Sequence, residues 1–382
     1  MRGVDIPQFH AGDIGRQASI LAAAGRDVIP MHFGEPSLGA SAAAIDAAHH
    51  ALDHERMTYW ISQSLRERIA RHYRDEYGLG VDPDCVLLTA GASAGLIAVF
   101  TAMFAAGDRV GLLRPGYPAY RNSLRALGRE PVEIDCGPET GYRLTAERLL
   151  ATGQPLHGLV LASPNNPTGA MLSREQLAEV AAVCRARGTR LISDEIYHSI
   201  TYVGRAACAL EIDPDTIVVN SFSKLFRMTG WRLGWLVAPA DCVPRLSAHL
   251  INFFLTPPSI SQFAALRAFD DLPELRAAVG TYAHNRARLL EELPKLGLTR
   301  MAEPDGAFYL YLDIAHLTND SLAFCVRMLE ETGIAAAPGI DFDTEQGGHC
   351  LRLSFAISSD LVERAIERLR HWLPRQTQAV HS

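Results

Sequence analysis

Short apolar runs separated by longer stretches of mixed polarity organise the first two-thirds of the chain. The runs are "CVLLTAG" from residue 85, "RVGLLRPG" from 109, "HGLVLASP" from 157, "RLISDE" from 190 and "TIVVNSFS" from 216. Between them lie segments with helical periodicity. "SLRERIARHYRDEYG" (64–78) begins with Ser64 three residues before Glu67, the spacing of a capping box, and ends at Gly78. "SREQLAEVAAVCRARG" (173–188) repeats the plan with Ser173, Gln176 and Gly188. Apolar runs of this length, alternating with helices, predict buried parallel strands in an α/β sheet.

The polar punctuation falls at the carboxyl ends of these runs, at residues 91–93, 115–117, 163–169, Asp194 and 221–224. Ligands of open α/β sheets bind outside the carboxyl ends of the strands. The five runs are therefore expected to aim their chemistry at one crevice. Past residue 265 the pattern changes to a long helical stretch (259–297), the strands "GAFYLYLDI" and "HCLRLSFAI", and a last helix from "SSDLVERAIERLRHWL". This predicts a large domain with a mostly parallel sheet flanked by helices, plus a smaller α+β domain. The expected divisions are an N-terminal arm over residues 1–35 that joins the small domain, a large domain over 36–265, and a small domain over 266–382.

Composition removes several classes of function. The chain has 382 residues, 48% of them hydrophobic and 21% charged, enough for a substantial core. A formal charge of −7 gives no electrostatic reason to expect nucleic acid or an anionic membrane as partner. The seven cysteines stand singly with no C-x-x-C pair, so reduced thiols are expected and a zinc site is not; no histidine has metal-ligand spacing. No signal core and no bilayer-length apolar window are present, which points to a cytoplasmic protein.

Lysine usage is the informative anomaly. Of 36 basic residues only Lys224 and Lys295 are lysines. Arginine keeps its proton in a protein, whereas lysine can be desolvated, deprotonated and used as an amine nucleophile toward a carbonyl. Lys295, in "ELPKLG", reads as a surface residue near a helix end. Lys224, in "SFSKLFRMTGWRLGW" (221–235), has apolar neighbours that do not describe an exposed face.

A carbonyl cofactor held by a lysine needs a phosphate cradle, an acid for a ring nitrogen, donors for a ring oxygen and a clamp for the substrate carboxylate. Ser221, Ser223 and Arg232 flank Lys224 and suit phosphate. "AGASAG" (90–95) opens a helix, whose start favours an anion, and Ser93 is expected to contact phosphate, the alternative being an N-cap that needs no ligand. Asp194 ends a buried strand, where an unpaired carboxylate is costly and a pyridinium nitrogen is a fitting partner. Tyr197 and Asn166 can donate to the same ring. Arg232 in "GWRLGW" and Arg352 in "CLRLSF" both lie in apolar sequence surroundings, where an anion is the natural partner for a guanidinium.

In this order, "RPGYPAY", "SPNNPTG", "SDEIY", "SFSKLFRMTGWRLGW" and "RLSFA" resemble the class I/II aminotransferases, fold type I enzymes that use pyridoxal phosphate. The resemblance runs from "GEPS" at residue 34 to the final helix. It implies that Lys224 forms the internal aldimine, Asp194 pairs with the pyridine nitrogen, and Asn166 and Tyr197 bind the ring oxygen. It further implies that Tyr117 stacks on the ring and that Ala92, Ser93, Ser221, Ser223 and Arg232 hold the phosphate. Arg352 then binds the substrate carboxylate with Gly34 and Asn166. A homodimer is implied too, with Tyr59 reaching the neighbouring subunit's phosphate; here "TYWISQSLRER" departs from the family spacing and places Trp60 where it can shape the pocket entrance.

The expected reaction moves an amino group from an L-amino acid to a 2-oxo acid. Two alternatives share the scaffold: a β-eliminating cysteine-S-conjugate lyase, and a non-catalytic effector-binding module, the latter disfavoured because only about 30 residues, not notably basic, precede "GEPS". Neither G-x-G-x-x-G after a strand nor a P-loop is present, which removes dinucleotide and P-loop enzymes. An acidic substrate needs a second cation. The segment "LINFFLTPPSISQFAAL", from which a partner subunit can line the pocket, has none, and only Arg114, Arg121 and, from the N-terminal arm, Arg16 are within sequence reach. With Phe253, Phe254 and Leu255 as apolar walls, a neutral aliphatic or aromatic substrate is expected.

Overall fold

The computed structural model describes residues 4–380. After a two-residue strand β1 (Ile29–Pro30), seven strands form the main sheet. These are β2 (Val86–Thr89), β3 (Arg109–Arg114), β4 (Glu130–Asp135), β5 (Gly158–Ala162), β6 (Arg190–Asp194), β7 (Ile217–Ser221) and β8 (Gly234–Val237). Their order is β2-β8-β7-β6-β5-β3-β4. All five predicted runs are strands, and they run the same way. Two strands escaped the periodicity. β4 is an edge strand with a largely half-exposed, mixed-polarity pattern, and β8 is a four-residue run that reads as a continuation of the Lys224 segment.

The strand β8 matters most for the site. It is antiparallel to both neighbours, and Gly234 pairs with Thr89 on one side and Ser221 on the other. An antiparallel strand begins where its parallel neighbours end. Arg232, two residues earlier, therefore emerges between the carboxyl ends of β2 and β7.

Successive side chains of a strand point to opposite faces, and the core divides accordingly. Leu87 packs with the helix Ala92–Met103 and with Leu246 and Leu250, while Val86 and Leu88 pack with Leu65, Ile69 and Trp235 on the other face. Each fully buried Val, Leu or Ile contributes roughly 1.5–3 kcal/mol. The helix Arg174–Arg187 covers the second face farther along, with Leu177, Val180 and Cys184 buried. It carries the expected capping box of Ser173 and Gln176 and ends on Gly188 at φ 65°.

The other expected capping box is displaced. Ser62, not Ser64, caps the helix Gln63–Tyr77 by accepting the Leu65 N–H at 3.2 Å. The Ser62 N–H is itself held by the Gln262 side chain at 2.9 Å, which starts the helix two residues early. Gly91 rather than Ser93 is the N-cap of Ala92–Met103. The long helical stretch after residue 258 is broken by a 3₁₀ turn at Phe269–Asp271, where Pro273 sits in the first turn of a new helix, Leu272–Glu292.

The smaller sheet contains β9 (Met301–Ala302), β10 (Tyr309–Asp313), β12 (Ala337–Pro338) and β13 (Cys350–Ser354), in the antiparallel order β12-β13-β10-β9. Between them in sequence, β11 (Ile334–Ala335) pairs with β1 in parallel. Arg352 on β13 lies opposite Tyr311 and Ala337. The seven cysteines are free thiols, and among the described residues no helix is long and apolar enough to cross a membrane and no side-chain cluster suits a metal ion.

Candidate active site

A cavity of about 320 Å³ opens at the carboxyl ends of the large sheet, within the roughly 300–1,000 Å³ range of small-molecule sites. Every residue expected to bind the cofactor or the substrate carboxylate lines it except Tyr59. Five turns converge there because five strands end at one edge. The antiparallel β8 adds Arg232, and the smaller sheet adds Tyr309 and Arg352.

At one end the helix Ala92–Met103 starts on Gly91, which has no side chain to cap the first-turn N–H groups. Ser221 and Ser223 lie beside it, their hydroxyl oxygens 2.8 Å apart, and both are buried. A Cβ on Gly91 would collide with the Arg232 guanidinium, so the absence of a side chain is what admits it. Uncapped N–H groups, two hydroxyls and a guanidinium form an anion cradle. One expectation needs correction: Arg232 is exposed rather than enclosed in apolar surroundings. Burial cost therefore does not argue for its anionic partner; its position at the helix start does.

Asp194 is buried in the same cavity. Tyr120 donates to its Oδ2 at 2.6 Å, and the Ile196 N–H donates to its Oδ1 at 3.2 Å. Burial pushes its pKa up to about 6, against the lowering effect of these two bonds. The carboxylate has neutral donors and no cation bonded to it, which suits a protonated ring nitrogen.

Lys224 sits between the two ends, half-buried, with its Nζ donating to the Gly34 carbonyl at 2.5 Å. Burial first, then the positive charge of Arg352, lowers its pKa to about 8. A large share of the amine is neutral in mildly alkaline water. Lys295, in contrast, is a surface residue paired with Glu291 and Glu292.

Arg352 is 2% exposed. Its Nη1 donates to Asn166 Oδ1 at 2.9 Å and its Nη2 to the His32 carbonyl, while Nε is buried without a partner. The guanidinium lies 4.5 Å from the Tyr309 ring centre and 4.6 Å from that of Phe342. No carboxylate of the described residues pairs with it, and burial lowers its pKa. His32 is kept neutral beside it, its pKa lowered to about 4 by burial and by Arg352. A buried guanidinium without a carboxylate partner is costly, and an anion in the cavity would offset that cost.

The residues expected to reach the site from a partner subunit, and Trp60, lie outside the cavity of this chain. Tyr59 is 79% exposed and outside the cavity. Trp60 packs against Phe263 at 5.1 Å between ring centres and does not line it. Phe253 and Leu255 are exposed, Phe254 packs into the core under the sheet, and none of the three reaches the cavity. Conversely, Phe9, Phe33, Glu35, Tyr120 and Tyr309 line it unforeseen. The signal for Tyr120 was its place three residues after Tyr117 at a helix start. Tyr309 carried none until β10 was paired with β13.

The identity of the fold follows from comparison. A family model described as aminotransferase class I and II matches residues 26–369. The chain belongs to this family. It is 44% identical over 378 residues to the valine–pyruvate aminotransferase of Mycobacterium tuberculosis, with 97% of each chain covered. The crystal structure of an aminotransferase from Mycobacterium tuberculosis superposes with a TM-score of 0.94 at 44% identity over 97% of both chains. The aspartate aminotransferase of Thermus thermophilus, solved with maleate, superposes with a TM-score of 0.90 at 32% identity over 97% of this chain and 100% of that one. The resemblance read from the motifs is thus borne out, as is the fold: a mostly parallel seven-stranded sheet flanked by helices with a small antiparallel sheet.

Proposed function

We propose that this aminotransferase uses pyridoxal phosphate bound through Lys224 to move the amino group of a neutral, apolar L-amino acid of the valine type to a 2-oxo acid. The observation that carries the substrate class is the count of cations lining the cavity. They are Lys224, Arg232 and Arg352, which the carbonyl, the phosphate and the α-carboxylate occupy in turn. None is left for a side-chain carboxylate, whose burial without a partner costs several kcal/mol. Arg114 is engaged by Asp135, Asp343 and Glu345, and Arg121 by Glu133, while Arg16 is exposed beside Asp13. Glu35 adds a negative charge to the lining. The similarity to a valine–pyruvate aminotransferase supports the same reading.

The residues present fit the cofactor. The anion cradle of Ala92, Ser93, Ser221, Ser223 and Arg232 would hold its phosphate, Asp194 its ring nitrogen, Tyr197 and Asn166 its ring oxygen, and Tyr117 a ring face. When bound, pyridoxal phosphate supplies a carbonyl for the amino group and a ring that takes up the electron pair released at Cα. Asp194, oriented by Tyr120 and Ile196, holds a proton on the ring nitrogen. Asn166 commits its oxygen to Arg352 and keeps its amide hydrogens for the ring. Arg352 and Asn166 would fix the substrate carboxylate and with it the orientation of Cα toward Lys224. Lys224 Nζ, its pKa lowered to about 8, would take the proton from the substrate Cα and hold it for return.

The test is single-turnover mixing of the loaded enzyme with valine, alanine, phenylalanine, aspartate and glutamate. Neutral amino acids should react faster; aspartate outrunning all of them would overturn the substrate assignment. Homodimerisation belongs to the same proposal, with Tyr59 of one copy approaching the phosphate cradle of the other. The side chains of Tyr59, Ile61, Ile251 and Leu255 expose apolar surface, and the last three line one shallow groove. Sedimentation of a fully active monomer would contradict it.

A further inference from the structure

Adjoining the site is a set of buried polar groups that the proposed reaction does not use. Glu195 and His198 are 1% and 6% exposed, and neither lines the cavity. Glu195 Oε1 accepts the Ala209 N–H at 2.8 Å and the Ser193 hydroxyl at 3.1 Å, and Oε2 faces His198 Nδ1 at 3.3 Å. His198 Nδ1 also lies 2.9 Å from the Tyr77 hydroxyl. Glu195 Oε2 makes no hydrogen bond.

The Tyr77 hydroxyl and the Ser163 carbonyl hold the imidazole, one at each ring nitrogen. His198 Nε2 lies 2.9 Å from the Ser163 carbonyl oxygen. A carbonyl only accepts, so Nε2 carries a hydrogen and donates it. Ser163 opens the turn 163–169, which is too rich in proline and asparagine to be held by a regular ladder. Two backbone bonds close it, from the Asn165 N–H to the Ala170 carbonyl at 3.0 Å and from the Gly169 N–H to the Asn165 carbonyl at 2.7 Å, and side chains tie it to its surroundings: the Ser163 hydroxyl accepts the Leu172 N–H at 2.9 Å, and Asn165 Nδ2 donates to the Pro115 carbonyl at 3.1 Å. The turn presents Asn166, whose Oδ1 accepts from Arg352 at 2.9 Å. We propose that His198, oriented by Tyr77, is a positioning residue that fixes the Asn166 turn and, through Asn166, the carboxylate-binding guanidinium of Arg352. A displacement of about 1 Å in such a support can cost on the order of a hundredfold. The inference rests on the reading of Asn166 and Arg352 as the carboxylate pair.

The probe is isovalerate, which has the carboxylate and branched chain of valine without the amine. Its dissociation constant is measured by calorimetry on cofactor-loaded enzyme, alongside KM and kcat for valine. His198→Phe should weaken isovalerate and raise KM about tenfold while kcat stays within about twofold, because the lost bond acts on binding. His198→Gln, whose amide can still donate to Ser163, should stay within about threefold of the parent. In an Asn166→Ala background His198→Phe should add nothing. If the phenylalanine variant does not fold, His198→Asn, whose amide is too short for Ser163, is expected to show the same weakening. Unchanged isovalerate binding in His198→Phe or His198→Asn, or an undiminished effect in the Asn166→Ala background, overturns the inference alone. Asn166→Ala binding isovalerate as tightly as the parent overturns the carboxylate reading beneath it.

Discussion

The Tyr309 hydroxyl lies 2.5 Å from that of Tyr197, joining the ring-oxygen side of the cavity to its carboxylate side. Only one hydrogen fits between the two oxygens, so one phenol donates and the other keeps its hydrogen for a different acceptor. The Tyr309 ring also supports Arg352, and its hydroxyl occupies the place where a Cβ on Gly34 would stand. Tyr309→Phe keeps the ring and loses the link. It should lower kcat/KM about tenfold with little change in thermal stability. Gly34→Ala should be more damaging, because the new methyl displaces the Tyr309 hydroxyl and disturbs the Gly34 carbonyl that holds Lys224. Steady-state kinetics with valine on both variants tests the order.

Lys224 sets the pH dependence of cofactor capture. Only the neutral amine attacks a carbonyl, and its pKa is lowered to about 8. Mixed with cofactor-free protein, pyridoxal phosphate should be captured faster as pH rises toward 8, with the rate levelling above it. Stopped-flow absorbance records the profile. A midpoint near the ordinary lysine value would show the amine to be solvated. Lys224→Arg should abolish capture, since a guanidinium stays protonated.

Much of this site was legible because its residues cluster in motifs at strand ends. "SDEIY" and "SFSKLF" place Asp194, Tyr197 and Lys224 in one frame, and a buried strand before a carboxylate already demands a partner. The exposure of Arg232 was not legible. Its apolar sequence neighbours, Trp231 and Leu233, face the core while its own side chain does not, and at φ 53° the backbone turns there before β8 begins. Tyr309 and Phe9 were hidden for another reason: they reach the cavity through long-range pairing or docking, which leaves no local periodicity. The Ser62 cap was missed because its reinforcing partner, Gln262, lies 200 residues away.

Asp194 should make the cofactor-free protein less stable than it can be. Its folded pKa of about 6 lies above the ordinary aspartate value of 3.8, so the folded state binds the extra proton. Stability from this group is fully present below about pH 4 and is lost as pH rises toward 6. At pH 7 the ionised, buried carboxylate costs on the order of 2–3 kcal/mol. Asp194→Asn should therefore resist urea better than the parent at pH 7 when free of cofactor, and no better at pH 4. It should lose most transaminase activity, because an amide does not hold a proton on the ring nitrogen. An asparagine variant that is weaker at pH 7 would show that the bonds from Tyr120 and Ile196 outweigh the burial cost.

Arg352→Lys separates charge from geometry at the carboxylate end. The guanidinium now reaches Asn166 with one nitrogen and the His32 carbonyl with another, while its plane rests between the rings of Tyr309 and Phe342. A lysine keeps the positive charge but has no planar fork, so it cannot satisfy Asn166, His32 and a carboxylate together, and its ammonium is more strongly hydrated. The neighbouring cation then worsens the loss: a mobile charge closer to Lys224 would lower that amine's pKa further. The expected outcome is a KM for valine raised about a hundredfold, the scale of a lost bidentate contact, with a smaller fall in kcat and the pH profile of cofactor capture moved to lower pH. Both are read on the same protein, by initial rates and by stopped-flow absorbance. A lysine variant with a KM near that of the parent would show that charge alone holds the carboxylate and that the fork of Arg352 serves only the packing of β13.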